Sequence, residues 1–282
     1  MGSKLPPPDW SARLALKYFH RYNYPLTIRE IYFWQPQTSL PLSQIARLCV
    51  SDPHIFHHGD YYSLSASPRL SRLRRQSRVF STPKWEIARQ VSKKLSRIST
   101  ILGVFVTGSL AMDNCQPSDD IDIMLITASD SLWITRFLVA LYLKTTGLRR
   151  PPHLLEHSSP RVADKICDNL YLDLNNLQIK QSLYLAHETL QAICLFDRGG
   201  VHHRFLTANS WVKSYLPIAY RQTLKKTSQI NLPTNRHGQS TNLIIKLINY
   251  IFYVIQYLYM QPRLTSEKIG LGFAFFHPQS AN

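Results

Sequence analysis

Residues 103–127 read GVFVTGSLAMDNCQPSDDIDIMLIT, and few folds satisfy such a run. The apolar stretch 103–106 predicts a buried strand. Gly108 and Ser109 follow, then a polar connection rich in turn residues. Residues 120–126 predict a second strand, with Asp120 and Asp122 on one side and Ile121, Ile123 and Leu125 on the other. Alternate strand residues stand roughly 6.5–7 Å apart, so two carboxylates placed this way repel unless a cation lies between them. Magnesium suits that place, because it takes oxygen ligands and is held by one or two carboxylates together with substrate phosphates.

The Gly-Ser pair supplies a complementary half. Gly108 lets a phosphate approach the backbone, and Ser109 can open a short helix over 109–113 whose free N–H groups face an anion. Gly-Ser, an eleven-residue step from Ser109 to Asp120, then Asp-hydrophobic-Asp-hydrophobic resembles the nucleotidyltransferase superfamily of the DNA polymerase beta type. The chain is also similar in outline to bacterial nucleotidyltransferase-domain proteins with a helical N-terminal extension. The resemblance covers residues 103–175 and implies an α+β fold with a small mixed sheet. It further implies that Asp120 and Asp122 hold two Mg2+ ions, and that Gly108 and Ser109 hold the β and γ phosphates of a nucleoside triphosphate. An acceptor hydroxyl on RNA, a small molecule or a protein would then attack the α phosphate, and pyrophosphate would leave. A third acid, completing one metal site and helping to deprotonate the acceptor hydroxyl, is implied on a neighbouring strand. Residues 169–175, NLYLDLN, alternate as a half-buried strand, and Asp173 is chosen because a mid-strand charge is costly without a metal or substrate. Asp168 and Glu188 are the alternatives. Asp119 departs from the pattern, since many relatives carry serine there, and is expected to point to the opposite side.

The rest of the chain is read in order. Residues 12–22 predict a first helix. Thr27 and Glu30 form a capping box opening a second helix through Trp34, and 42–50 predict a third. IFHHGDYYSL predicts a hairpin turning at His58-Gly59. Three helices and a hairpin resemble a winged helix-turn-helix, which implies nucleic-acid contact; a packing module is the plainer reading, since Arg47 is the only cation on the third helix. Residues 69–97 carry Arg69, Arg72, Arg74, Arg75, Arg78, Lys84, Arg89, Lys93, Lys94 and Arg97 against Glu86, a candidate RNA- or DNA-backbone contact. The first part reads as a connection ending at Pro83, and 84–98 as an amphipathic helix. Helices are also predicted over 131–144 and 182–193, the latter containing His187 and Glu188. The turn at 197–200 closes the core. Residues 242–260 approach membrane-span length, but Lys246, Asn249, Tyr253 and Gln256 form a polar stripe, so spanning is disfavoured and a buried or partner-facing helix is expected, with membrane-surface attachment as the alternative. The FAFFHPQ tail is expected to pack back onto the body.

These signals divide the 282 residues into a winged-helix-like module with a basic connection (1–78), a nucleotidyltransferase core (79–200) and a helical C-terminal region (201–282). The net charge of +16 favours polyanionic partners. Cys49, Cys115, Cys167 and Cys194 are scattered, as free thiols of a reducing compartment would be. The start MGSKLPPPDW shows no secretory signal, and Pro6 argues against myristoylation, so a cytoplasmic protein is expected. The rival expectation is a nucleic-acid-binding regulator whose nucleotidyltransferase fold senses nucleotide without turning it over.

Overall fold

A computed structural model describes residues 10–151, 160–228, 243–264 and 267–276. The proline-rich start, Pro152, Asn242 and the last three residues of FAFFHPQ, all noted above, lie outside them. The protein is mixed α+β and divides into two compact units. One comprises residues 1–79 with 181–190 and 210–226, and the other 80–180 with 191–209 and 227–282. The C-terminal third is thus shared between units.

In the first unit, helices α1 (Ser11–His20), α2 (Ile28–Phe33) and α3 (Leu42–Ser51) precede the hairpin β1 (Phe56–His58) and β2 (Tyr61–Ser63). Thr27 caps α2 in a reciprocal capping box with Glu30, as the spacing predicts. Gly59 turns the hairpin at φ +65°. Helix α7 (Leu183–Gln191) brings His187 against Tyr18, rings stacked 3.5 Å apart, with Phe19 and Trp34 around them. His187 is buried and its Nδ1 has no hydrogen-bond partner among the described residues, and burial pushes its pKa down to about 3. It is therefore a neutral core ring.

The expected break at Pro83 does not occur: α4 (Arg69–Leu95) runs through it. Proline removes one i→i−4 bond, here the one to Val79, and Val79 is 68% exposed, so its carbonyl can turn to water. Buried positions Leu70, Ser77, Ser81, Lys84, Ala88, Val91 and Leu95 continue at helical spacing across the proline.

The second unit is built on one six-stranded sheet in the order β6 (Ile193–Asp197), β3 (Ile101–Val106), β4 (Ile121–Thr127), β5 (Ile166–Asp173), β8 (Phe273–Phe275) and β7 (Lys268–Ile269). Strands β3 (Ile101–Val106) and β4 (Ile121–Thr127) pair antiparallel around the short helix α5 (Gly108–Ala111). Helix α6 (Leu132–Thr145) then carries the chain across to β5 (Ile166–Asp173), which runs parallel to β4. One face packs Val104, Val106, Ile121, Ile123, Leu125 and Tyr171 under α4 and α6. The other packs Phe105, Met124, Ile126 and Leu172 against α8 (Val201–Ala208).

Three further expectations need correction. The helix expected over 182–193 stops at Gln191, and Ile193–Asp197 forms β6, which pairs with β3. The C-terminal region is not wholly helical, because β7 (Lys268–Ile269) and β8 (Phe273–Phe275) extend the sheet beyond β5. Finally, α11 (Leu243–Met260) is not a buried helix: among its residues Asn249 alone is buried.

Candidate functional site

The site grows from the turn between β3 and β4. Gly108 sits at φ +63°, and a Cβ there would meet Asp122 Oδ2 at 2.5 Å. Only glycine leaves that carboxylate its place, and the Gly-Ser corner and Asp122 are neighbours. The Thr107 N–H donates to the Asp122 carbonyl at 3.1 Å, tying corner to strand. Ser109 Oγ donates to Asp119 Oδ2 at 3.3 Å, and the same carboxylate accepts from the Gln116 N–H at 2.8 Å. Asp119 therefore closes the connecting loop beside Ser109.

Asp120 and Asp122 lie two residues apart, on the sheet side that continues into Met124 and Ile126, as the alternation predicts. Asp120 is only 6% exposed at its side chain and is ion-paired at 2.9 Å with Arg150, itself 8% exposed. Burial works against the Arg150 charge, but its hydrogen bond to the Cys167 sulfur and the two aspartates outweigh it and raise its pKa. Parallel register sets Cys167 beside Asp122, and Asn169 Nδ2 donates to Asp122 Oδ1 at 2.7 Å. Burial, and then Asp122 and Asp120, push the Cys167 thiol well above its ordinary pKa, so it stays protonated.

Asp173 does not join them. It pairs with Thr127, five residues along β4 from Asp122 or roughly 17 Å at strand rise, and lies on the opposite face of the sheet. Its carboxylate accepts from the Asn175 N–H at 2.9 Å and from Asn176 Nδ2 at 2.8 Å, and burial raises its pKa. Its charge is thus balanced by local donors at the strand's end. Asp168 also faces away, toward Arg149 at 3.2 Å and the Tyr171 hydroxyl at 3.0 Å. Glu188 belongs to α7, in a stretch assigned to the other unit.

The residues that sequence reasoning missed are Arg150, Cys167 and Asn169. A signal existed for the first: a parallel crossover must return the chain to the start of β5, beside the start of β4, and that return is where Arg149-Arg150 falls. The Arg150 N–H donates to the Ile166 carbonyl at 2.9 Å, which fixes it there.

Oxygens of Asp120 and Asp122 and the Cys167 sulfur lie within 4.8 Å of one another, and the missing side chain of Gly108 keeps room beside Asp122. Two carboxylates with room for phosphate oxygens fit one hard divalent cation. They do not fit two, because the acid assigned to complete the second set faces elsewhere.

The basic segment is also only partly available. Lys84 is 1% exposed and donates to the Asp119 carbonyl and Asp164 Oδ1, both at 2.7 Å, so it is a structural brace. Arg74 is held by Glu30 between the rings of Tyr24 and Tyr61. Arg69, Arg72, Arg75, Arg78, Arg89, Lys93 and Lys94 remain exposed on α4, and Arg97 just beyond its end.

Compared with protein-family models and with the curated proteins, the sequence finds no match in either.

Proposed function

We propose that this chain carries a nucleotidyltransferase-type domain of the DNA polymerase beta kind, whose Gly108–Asp122 corner receives a nucleoside triphosphate together with one divalent cation. The observation that carries the reading is the left-handed Gly108 seated against Asp122, at a turn joining antiparallel strands that lead by a helical crossover to a parallel third. Two sequence features eleven residues apart are thereby brought to one place, with a phosphate-accessible backbone beside a carboxylate. Asp120 and Asp122 would hold the cation, which when bound would neutralise charge on the triphosphate. Gly108 admits the phosphate chain, Asn169 orients Asp122, and Arg150 holds Asp120 in place by their ion pair. Nucleotidyl transfer to an acceptor hydroxyl, with release of pyrophosphate, is the activity this equipment serves.

A second reading, nucleotide binding without transfer, is favoured by one observation. Among the described residues, the strand next to Asp122 offers Cys167 and Asn169 where a third acid would assist deprotonation of the acceptor. The exposed cations of α4 would then serve RNA or DNA binding by a regulator. One experiment separates the two. Fluorescent nucleoside triphosphates are titrated with and without Mg2+, and label transfer from each of the four α-labelled triphosphates is followed in parallel. Mg2+-dependent binding lost in Asp122→Asn supports the site; transferred label selects the enzyme, and binding without transfer selects the sensor. Absence of binding overturns both.

A further inference from the structure

The outer face of α11 is the largest feature left unused. Its inner face is fully engaged. Helix α6 lacks a side-chain cap from its own Ser131, and Asn249 Oδ1 supplies one, accepting from the N–H groups of Trp133 at 2.7 Å and Ile134 at 3.4 Å. Gln256 Nε2 donates to the Trp133 carbonyl at 2.8 Å, and its oxygen accepts from Arg136. Lys246 pairs with Asp130 at 3.4 Å. The polar stripe that the sequence shows thus faces α6, and the apolar residues are left outside. Leu247 is 61% exposed, Ile255 58% and Leu258 60%, and Ile244 and Ile251 are exposed in the same series at helical spacing. The surface continues onto α6 through the Phe137–Phe252 ring contact at 4.9 Å to exposed Leu141. Soluble monomers rarely leave a contiguous apolar face of this extent bare.

We infer that this face lies in the headgroup region of an anionic lipid bilayer, with α11 parallel to the membrane plane. Charge selects the occupant. Neither α6 nor α11 contains an acidic residue, Lys144 is exposed on α6, Lys246 stays 46% exposed beside its partner Asp130, and the whole chain carries +16. A second copy would bring the same excess of positive charge to the contact, whereas anionic lipid brings the opposite sign. Exposed Tyr250 and Tyr259 add amphipathic rings of the kind that settle at headgroup level. An in-plane orientation keeps the Asn249 and Gln256 bonds to α6, which spanning would break. The inference is independent of nucleotide binding.

The test is flotation of the full-length protein with vesicles of phosphatidylcholine alone and of phosphatidylcholine with phosphatidylglycerol. Binding is expected to the second at low salt and to weaken as salt rises. Leu247→Glu and Ile255→Glu should each reduce it by about tenfold or more, since each places a charge in the apolar contact. Both residues are exposed, so circular dichroism should be unchanged, and Val79→Glu, exposed on α4, should bind like the wild type. Failure to float, or flotation unaffected by the α11 substitutions, overturns the inference. So does a dimer in sedimentation that these substitutions dissolve, since the face would then belong to a second copy.

Discussion

Replacing Arg150 with methionine keeps much of the side-chain volume and removes the charge opposite Asp120. At 2.9 Å the pair attracts by about 6 kcal/mol at an effective dielectric of ~20, before desolvation is counted. Deleting one member of a pair this buried strands the other, a change that costs about 3–5 kcal/mol. At roughly 2–4 °C per kcal/mol for a fold of this size, Arg150→Met should unfold about 6–20 °C lower by circular dichroism. A divalent cation held by Asp120 and Asp122 should reverse part of that loss, returning about 2.7 kcal/mol at a hundredfold excess over its Kd. The wild type should gain less at the same Mg2+ concentration, because Arg150 competes for Asp120. Sodium chloride at matched ionic strength serves as control. Equal stabilisation of both proteins, or of neither, would refute the idea that Arg150 and a cation contend for one carboxylate.

Other substitutions probe separate links. Asp122→Asn should weaken Mg2+-dependent nucleotide binding at least about tenfold, as expected for loss of a charged ligand. Asp173→Asn should leave it unchanged in the same titration, because Asp173 serves the far end of β5. Gly108→Ala meets a left-handed φ and a 2.5 Å contact with Asp122, so about 1–2 kcal/mol of stability should be lost in urea unfolding, along with nucleotide binding. His187 has a folded pKa of about 3 against an ordinary 6.5, so the unfolded chain binds its proton first as pH falls. Its contribution is complete above pH 6.5 and declines by about 1.4 kcal/mol per pH unit toward pH 3; His187→Phe should flatten that slope in denaturant titrations.

What could be read in advance followed local rules. The capping box on α2 and the hairpin at Gly59 rest on residues within a few positions of one another, and the β3–turn–β4 unit on one unbroken stretch of chain. Strand β6 escaped because ICLFD follows a helix without a turn signal, and only pairing with β3 distinguishes it from one more helical turn. Pro83 misled because the rule that proline breaks helices assumes a carbonyl with nowhere to go, and at Val79 water is within reach.

Asp173 shows a different kind of limit. With Asp122 opposite Cys167, an unbroken register would set Asp173 opposite Ala128, on the same face as Asp122. One irregularity intervenes: Ile123 pairs with Asp168 and Met124 with Leu170, so Asn169 is an extra residue and every later side chain of β5 changes face. The same bulge delivers the Asn169 amide to Asp122. A single inserted residue thus removes one acid from the site and installs a neutral donor, and no alternation pattern within β5 alone reveals it. The resulting cluster has two carboxylates facing one guanidinium where three carboxylates were expected, which is why its cation requirement should be read at Arg150 and Asp122 and not at Asp173.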